Sequence, residues 1–296
     1  AHGIFNLGSH STTTVSGSIT TAGDSGLGIY NLGDNNTTNM SGSITTEGKY
    51  ATGIYNLGSH STTTVSGSIT AAGDSGQGIY NVGDNNTTNM SGSITTEGKS
   101  AHGILNVGSH STTTVSGSIT TAGDSGLGIY NRGDNNTTNM SGSITTAGDS
   151  GGHGIVNRGD NNTTTVSGIV SATSTSSSAL YNYSGSGNSF TLDEGAIIIG
   201  DITALAAATN NKLKFNLGKG LSYAYSVGGG GAGTGAGQWT FTDQDGRTPI
   251  ATTSGTNCTA TGVTVCNLVT GVSTGNVEAQ DELQFSMNTS MIGSLS

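Results

Sequence analysis

The side chains best suited to chemistry in this 296-residue chain occur in repeated sets rather than singly. His10, His60 and His110 each sit between two serines, Ser9 and Ser11 in the first case, which superficially pairs a hydroxyl nucleophile with a base. Nucleophilic catalysis needs one base oriented by a buried acid and one oxyanion hole. A set copied along the chain supplies none of these uniquely, so the histidines are expected in turns. Asp34, Asn35 and Asn36, with the copies at Asp84 and Asp134, offer oxygen ligands of the kind Ca²⁺ takes. Asx residues are also the usual turn formers, and no Gly-Gly-x-Gly-x-Asp pattern is present. No metal and no other cofactor is therefore expected. Carbohydrate cleavage would need paired carboxylates whose environments split their pKa values. Asp193 and Glu194 are adjacent and point oppositely on a strand, while Asp243, Asp245, Asp281 and Glu282 fall in loop-like stretches. No catalytic residue is nominated, and the chain reads as a non-enzyme. Cys258 and Cys266, with no CxxC partner set and no clustered His, read as one small disulfide loop, which points outside the cytosol.

Composition restricts what can carry these side chains. Charged residues make up 9% of the chain, against roughly 25% in an ordinary soluble domain, so the surface has to be Thr, Ser, Asn and Gly. A net charge of -10 over this length does not hold a chain open. It also excludes the basic footprint that nucleic acid requires. No run approaches the ~18 apolar residues of a membrane-spanning helix, so no direct span is expected in this segment. No charged and apolar leader precedes Ala1, and the sequence reads as a mature or excised piece.

A repeat organises the chain. Gly-Ile recurs at Ile4, Ile29, Ile54, Ile79, Ile104, Ile129 and Ile155, a spacing of 25 with one extra residue at Gly151 or Gly152. Seven copies fill residues 1–176, each poor in helix formers and punctuated by Gly, Ser or Asn. Short strands stacked once per repeat are what remains, an all-β parallel β-solenoid, or β-helix, of 25-residue rungs. Comparing copies sorts the faces. Repeat position 4 is always Ile and position 6 always Asn, at Asn6, Asn31, Asn56, Asn81, Asn106, Asn131 and Asn157, so both point inward. Position 7 ends in Arg132 and Arg158 after Leu and Val, which a close-packed slot would not accept, so positions 5 and 7 point outward. The stretch from Thr12 to Thr21 alternates as one strand, with Thr13, Val15, Gly17, Ile19 and Thr21 on the inner face. The inward Asn column is expected to bond its copies above and below. Asp24, Lys49, Asp74, Lys99 and Asp124 alternate in sign, as stacked rungs about 4.8 Å apart would require, and Asp149 breaks the pattern.

Beyond residue 176 the period fades, yet strand-like pieces continue at Ala179–Tyr183, Ser189–Leu192, Ala196–Ile202, Lys212–Leu217, Leu221–Val227 and Gln238–Thr242. Residues 177–296 are expected to continue the solenoid as an irregular C-terminal cap, with the Cys258–Cys266 loop projecting from it.

The GIYNLG and SGSITT columns, the Gly, Asn and Thr richness, the scarcity of Cys and Pro, and the less regular SFTLDEGAIIIGDITA and NNKLKFNLGKG segments together resemble bacterial autotransporter passenger regions of the adhesin type. The resemblance implies a right-handed parallel β-helix, exported and displayed on the bacterial cell surface, adhesive, and without an inherited catalytic residue.

Two outward faces carry the expected function. One is the stripe of Phe5, Tyr30, Tyr55, Tyr80, Leu105 and Tyr130, flanked by Leu7, Leu32, Leu57 and Val82. A continuous apolar stripe of this size marks a partner: a second copy of the rod, side by side or end to end, or a host or cell-surface receptor or glycan. The other is the array of Thr12, Thr14, Ser16, Ser18 and Thr20, whose regularity suggests ice binding as the alternative. A polysaccharide-active enzyme is the weaker alternative.

Overall fold

The computed structural model describes residues 2–216, 222–228, 234–243, 250–251 and 264–269. Every rung uses the repeat in the same way. In the first, β1 (His2–Asn6), β2 (Thr12–Val15) and β3 (Ser18–Thr21) each end at a turn rich in Gly and Ser; β4 (Leu27–Asn31), β5 (Thr37–Met40) and β6 (Ser43–Thr46) repeat them. Each strand pairs in parallel with its copy in the next rung and without offset, Ile4 opposite Ile29, Thr13 opposite Thr38 and Ile19 opposite Ile44. The outcome is an all-β parallel solenoid of about nine turns whose described strands form sheets of 12, 10 and 8 strands and a small one of 2.

Alternation along each strand fills the centre. Ile29, Met40 and Ile44 are almost fully buried, and the copies above them repeat the pattern. In the first rung Ile4 and Ile19 are only half-buried. The ladders run past the seventh copy, through Leu180 and Ile202 in the first sheet and through Phe190, Leu213 and Phe241 in the second, where larger side chains take over the place of the buried threonines. The later strands Ser178–Asn182, Ser189–Asp193, Asn211–Asn216 and Trp239–Asp243 continue the same sheets. Ser222–Gly228 ends the regular order by pairing antiparallel with Thr264–Val269. Cys258, and with it the expected disulfide to Cys266, lies outside the described residues.

Two expected strands are each divided. The stretch from Thr12 to Thr21 is two strands in two sheets, separated by a corner at Ser16–Gly17, so Gly17 is a corner residue and not part of an inner face. Its copies show why glycine is needed: the N–H groups of Ser41 and Gly42 both donate to the Val15 carbonyl below, at 2.9 and 3.1 Å. A Cβ on Gly92 would lie 1.9 Å from the Gly67 carbonyl oxygen, and the same clash recurs rung after rung. The expected strand Ala196–Ile202 likewise divides into Ile197–Ile199 and Asp201–Ala204, because Gly200 turns the chain with φ 111°.

The turns are held by side chains that act on backbone of the adjacent rung. The Ser59 and Ser109 N–H groups donate to the carboxylates of Asp34 and Asp84 at 2.7 Å, while the Asp34 and Asp84 N–H groups donate to the hydroxyls of Ser9 and Ser59 at 3.0 Å. Asn86 Oδ1 accepts from the Ser61 N–H at 2.8 Å in a second column of this kind. His10, Asn35, His60, Asn85 and His110 sit between the two columns with φ of 56 to 58°, a left-handed conformation that Asn and His tolerate better than most residues. The Ser-His-Ser and Asp-Asn-Asn sets are therefore turn devices. The Asp24 column works in the same way. Asp24, Asp74 and Asp124 accept the backbone N–H of Lys49, Lys99 and Asp149 at 2.9, 2.8 and 3.0 Å. The bond requires no charge on the residue above, which is the physical reason Asp149 is accepted where Lys stands in two earlier rungs.

Candidate functional site

The inward Asn column is a continuous amide ladder. The Nδ2 groups of Asn31, Asn56, Asn81, Asn106 and Asn131 donate to the Oδ1 of the next Asn at 2.8 to 3.0 Å. The second amide hydrogen of each goes to a threonine of its own rung, as from Asn81 to Thr88 Oγ1 at 3.0 Å. At the first step, Asn6 reaches Asn31 over 3.4 Å, and at the far end Asn157 donates to Asn182, one member beyond the repeats; Ala204 takes the next place in the column, and Asn182 donates instead to Asn211 on the second sheet. The ladder is structural.

The outward stripe lies on the first sheet. Tyr30, Tyr55 and Tyr80 stack with ring centroids 5.2 and 4.8 Å apart, the last pair within 6° of parallel, and Phe5 meets Tyr30 at 5.0 Å with its ring tilted by 46°. Each of these rings covers part of its neighbour, and Tyr30, Tyr55 and Tyr80 are half-buried; Tyr130, between Leu105 and Val156 in the column, is half-buried as well. Burial, with the neighbouring tyrosines adding to it, raises the Tyr55 pKa. Phe5 and Leu7 are 50% and 61% exposed, Leu32 is exposed, and Leu57 and Val82 are partly covered. Leu105, expected to point into solvent, is only 9% exposed, because it interrupts the ring column and its neighbours close over it.

The threonine array is not one flat face. Thr12 and Thr14 lie on the second sheet, Ser18 and Thr20 on the third, with the Ser16–Gly17 corner between them. Thr12 pairs with Thr37, and this outer column is threonine in all seven copies, whereas the Thr14 column alternates with Asn39, Asn89 and Asn139.

A cleft of about 360 Å³ opens on the stripe's face, lined by His102, Leu127, Tyr130, His153, Val156, Arg158, Tyr181 and Tyr183, with Ser100, Ser125 and Gly151 completing its wall. Two sequence irregularities coincide here. Val156 replaces a ring in the column and is 3% exposed. The extra residue is taken up in the turn at Gly151, whose φ is 66°; Thr146 Oγ1 still bonds a carbonyl, reaching Gly152 at 2.7 Å where Thr96 reaches Ala101. His102 and His153 belong to repeat position 2, a variable column that sequence reasoning passed over. Its signal is that these rings stand directly beside position 5, and His153 stacks on Tyr181 at 4.2 Å. Their Nδ1 atoms accept the N–H of Leu127 and Ser178 at 3.1 and 2.8 Å, which leaves the proton on Nε2 of each ring. Burial lowers both pKa values to about 4, so both rings are neutral at pH 7. Arg158 donates to Tyr130 Oη at 3.2 Å and lies 5.3 Å from the Tyr183 ring centre.

No family model, no curated protein and no solved structure matches the chain. The geometry of these faces thus carries the functional argument by itself.

Proposed function

We propose that this chain is a non-enzymatic, extracellular rod of the autotransporter-passenger kind, displayed on a bacterial surface and acting by adhesion or self-association. The observation that carries this reading is the outward column of rings from Phe5 to Tyr80, stacked from Tyr30 onward and edged by Leu7 and Leu32. Stacked rings are held in place before any partner arrives, so little side-chain entropy remains to be lost on binding. A straight apolar column is also complementary to its own copy on a second rod. The use of the Ser-His-Ser and Asp-Asn-Asn sets to hold backbone of the adjacent rung supports the non-enzymatic role. Ice binding has less to stand on, since the corner limits each hydroxyl face to two columns and Asn interrupts one of them.

The test is sedimentation velocity on the wild type and on Y30S/Y55S/Y80S, with far-UV circular dichroism as the folding control. The wild type is expected to associate in a concentration-dependent manner, or to clump cells that display it, and the triple variant to remain monomeric and folded. Equal behaviour of the two proteins would reject the stripe as the contact.

A further inference from the structure

We propose that the cleft between His102, Tyr130, His153, Arg158, Tyr181 and Tyr183 binds an acidic saccharide, a pyranose bearing a carboxylate, independently of the Tyr30–Tyr80 stripe. This goes beyond the self-association reading and uses different residues.

Size comes first. A cleft of about 360 Å³ is at the small end of ligand sites and suits one or two sugar rings. The walls come second. Tyr181 is stacked on His153 and meets Tyr183 edge-on at 6.0 Å, while His102 meets Tyr130 edge-on at 5.7 Å. Such fixed rings offer flat apolar faces for the C–H side of a pyranose. The polar groups come third. Both histidines spend Nδ1 on a backbone N–H and keep Nε2–H as a donor, and Arg158 uses one of its five donors on Tyr130. Serine and tyrosine hydroxyls can donate as well.

No carboxylate is among the residues lining this cleft, in a chain whose net charge is -10. The site is therefore rich in donors, carries a single permanent cation and is fringed by aromatic rings. A ligand matched to it is rich in acceptors, has one apolar face and bears one negative charge. A guanidinium fork recognises a carboxylate in two parallel hydrogen bonds. An uncharged sugar would gain nothing from the guanidinium fork, and an apolar ligand would leave the imidazole donors unpaired.

The rung pattern supplies a control built into the fold. The column that carries Tyr at 30, 55, 80, 130 and 181 has Val at 156, and the recess lies over this missing ring, whereas the neighbours close over Leu105. V156Y puts back the residue this column uses elsewhere and fills the recess.

The experiment is ligand-observed NMR and calorimetry with a trigalacturonate and with its fully methyl-esterified form, using the intact chain. The wild type is expected to bind the free acid at least tenfold more tightly than the ester. R158Q should bring the two affinities together, while Y183A and V156Y should abolish binding of both. Y30S/Y55S/Y80S should bind like the wild type, which separates this site from the stripe. Arg158 and Tyr183 are exposed, so loss of fold does not account for their effects, and thermal melting checks this directly. Absence of binding to the free acid, equal binding of acid and ester by the wild type, or displacement of the saccharide by inorganic phosphate at equal concentration would each overturn the proposal.

Discussion

Replacing Asn81 by Ala should cost roughly 3–6 kcal/mol of stability, whereas the same change at Asn6 should cost less than about 1 kcal/mol. The two residues occupy the same repeat position and differ only in place along the ladder. Asn81 is buried; it accepts from Asn56 at 2.8 Å and donates to Asn106 at 2.9 Å and to Thr88 at 3.0 Å. Truncation deprives three buried groups of a partner, and each such loss costs about 1–3 kcal/mol, reduced where the rung relaxes. Asn6 is half-buried, has one ladder bond of 3.4 Å and is within reach of water. A deficit of 3–6 kcal/mol is a large part of the 5–15 kcal/mol typical of a folded domain. Urea unfolding followed by circular dichroism measures it through the midpoint, with the slope unchanged if the unfolding unit is unchanged. Hydrogen exchange should show lost protection first in the rungs of Asn56, Asn81 and Asn106, since rungs couple to nearest neighbours. A loss at Asn81 within 0.5 kcal/mol of that at Asn6 would refute the ladder as a source of stability.

Three further outcomes follow from other parts of the fold. G92A, whose Cβ would meet the Gly67 carbonyl at 1.9 Å, should lose roughly 3 kcal/mol or more, while G17A, with nothing within 4 Å, should be near neutral in the same urea titration. At the left-handed position with φ 56°, H60V should lose about 1–2 kcal/mol and H60N, the residue of alternate rungs, should change little; differential scanning calorimetry distinguishes them. His102 and His153 have folded pKa values lowered to about 4 against 6.5 when unfolded. The unfolded chain therefore binds protons that the folded chain refuses, and stability falls as pH drops from about 6.5 to 4, by at most about 3 kcal/mol per ring. The double variant H102Q/H153Q copies Gln77, whose Oε1 accepts the next rung's N–H at 3.0 Å, and should be less sensitive over that window; an unchanged difference between midpoints at pH 7 and 4.5 would contradict this.

The fold was legible wherever a column repeats one residue type. Invariant Ile and Asn at positions 4 and 6 mark the interior, because a packed slot accepts no other shape, and the 25-residue spacing sets the rung. The corner at Ser16–Gly17 was hidden because two residues turn it. Val15 and Ile19 remain on the inner side whether or not the chain bends between them, so alternation cannot reveal the bend. Charge alternation in the Asp24 column reads as avoidance of like charges between stacked rungs, yet the carboxylates accept main-chain N–H groups, to which the side-chain pattern is blind. The cleft was the least legible part. It depends on a missing ring at Val156, an inserted residue at Gly151 and histidines in a column that varies from copy to copy, and each of these looks like noise in a repeat.

Equivalent residues stand directly above one another along a common axis. Double electron–electron resonance tests it, with nitroxide pairs at Asn39–Asn139, Thr14–Asn139 and Thr14–Thr165 after Cys258 and Cys266 are changed to Ser. These pairs are separated by four, five and six rungs of one column. At about 4.8 Å per rung the backbone separations should be about 19, 24 and 29 Å, rising by one equal step each time. Distances that do not grow by that step from pair to pair would contradict the stacked solenoid.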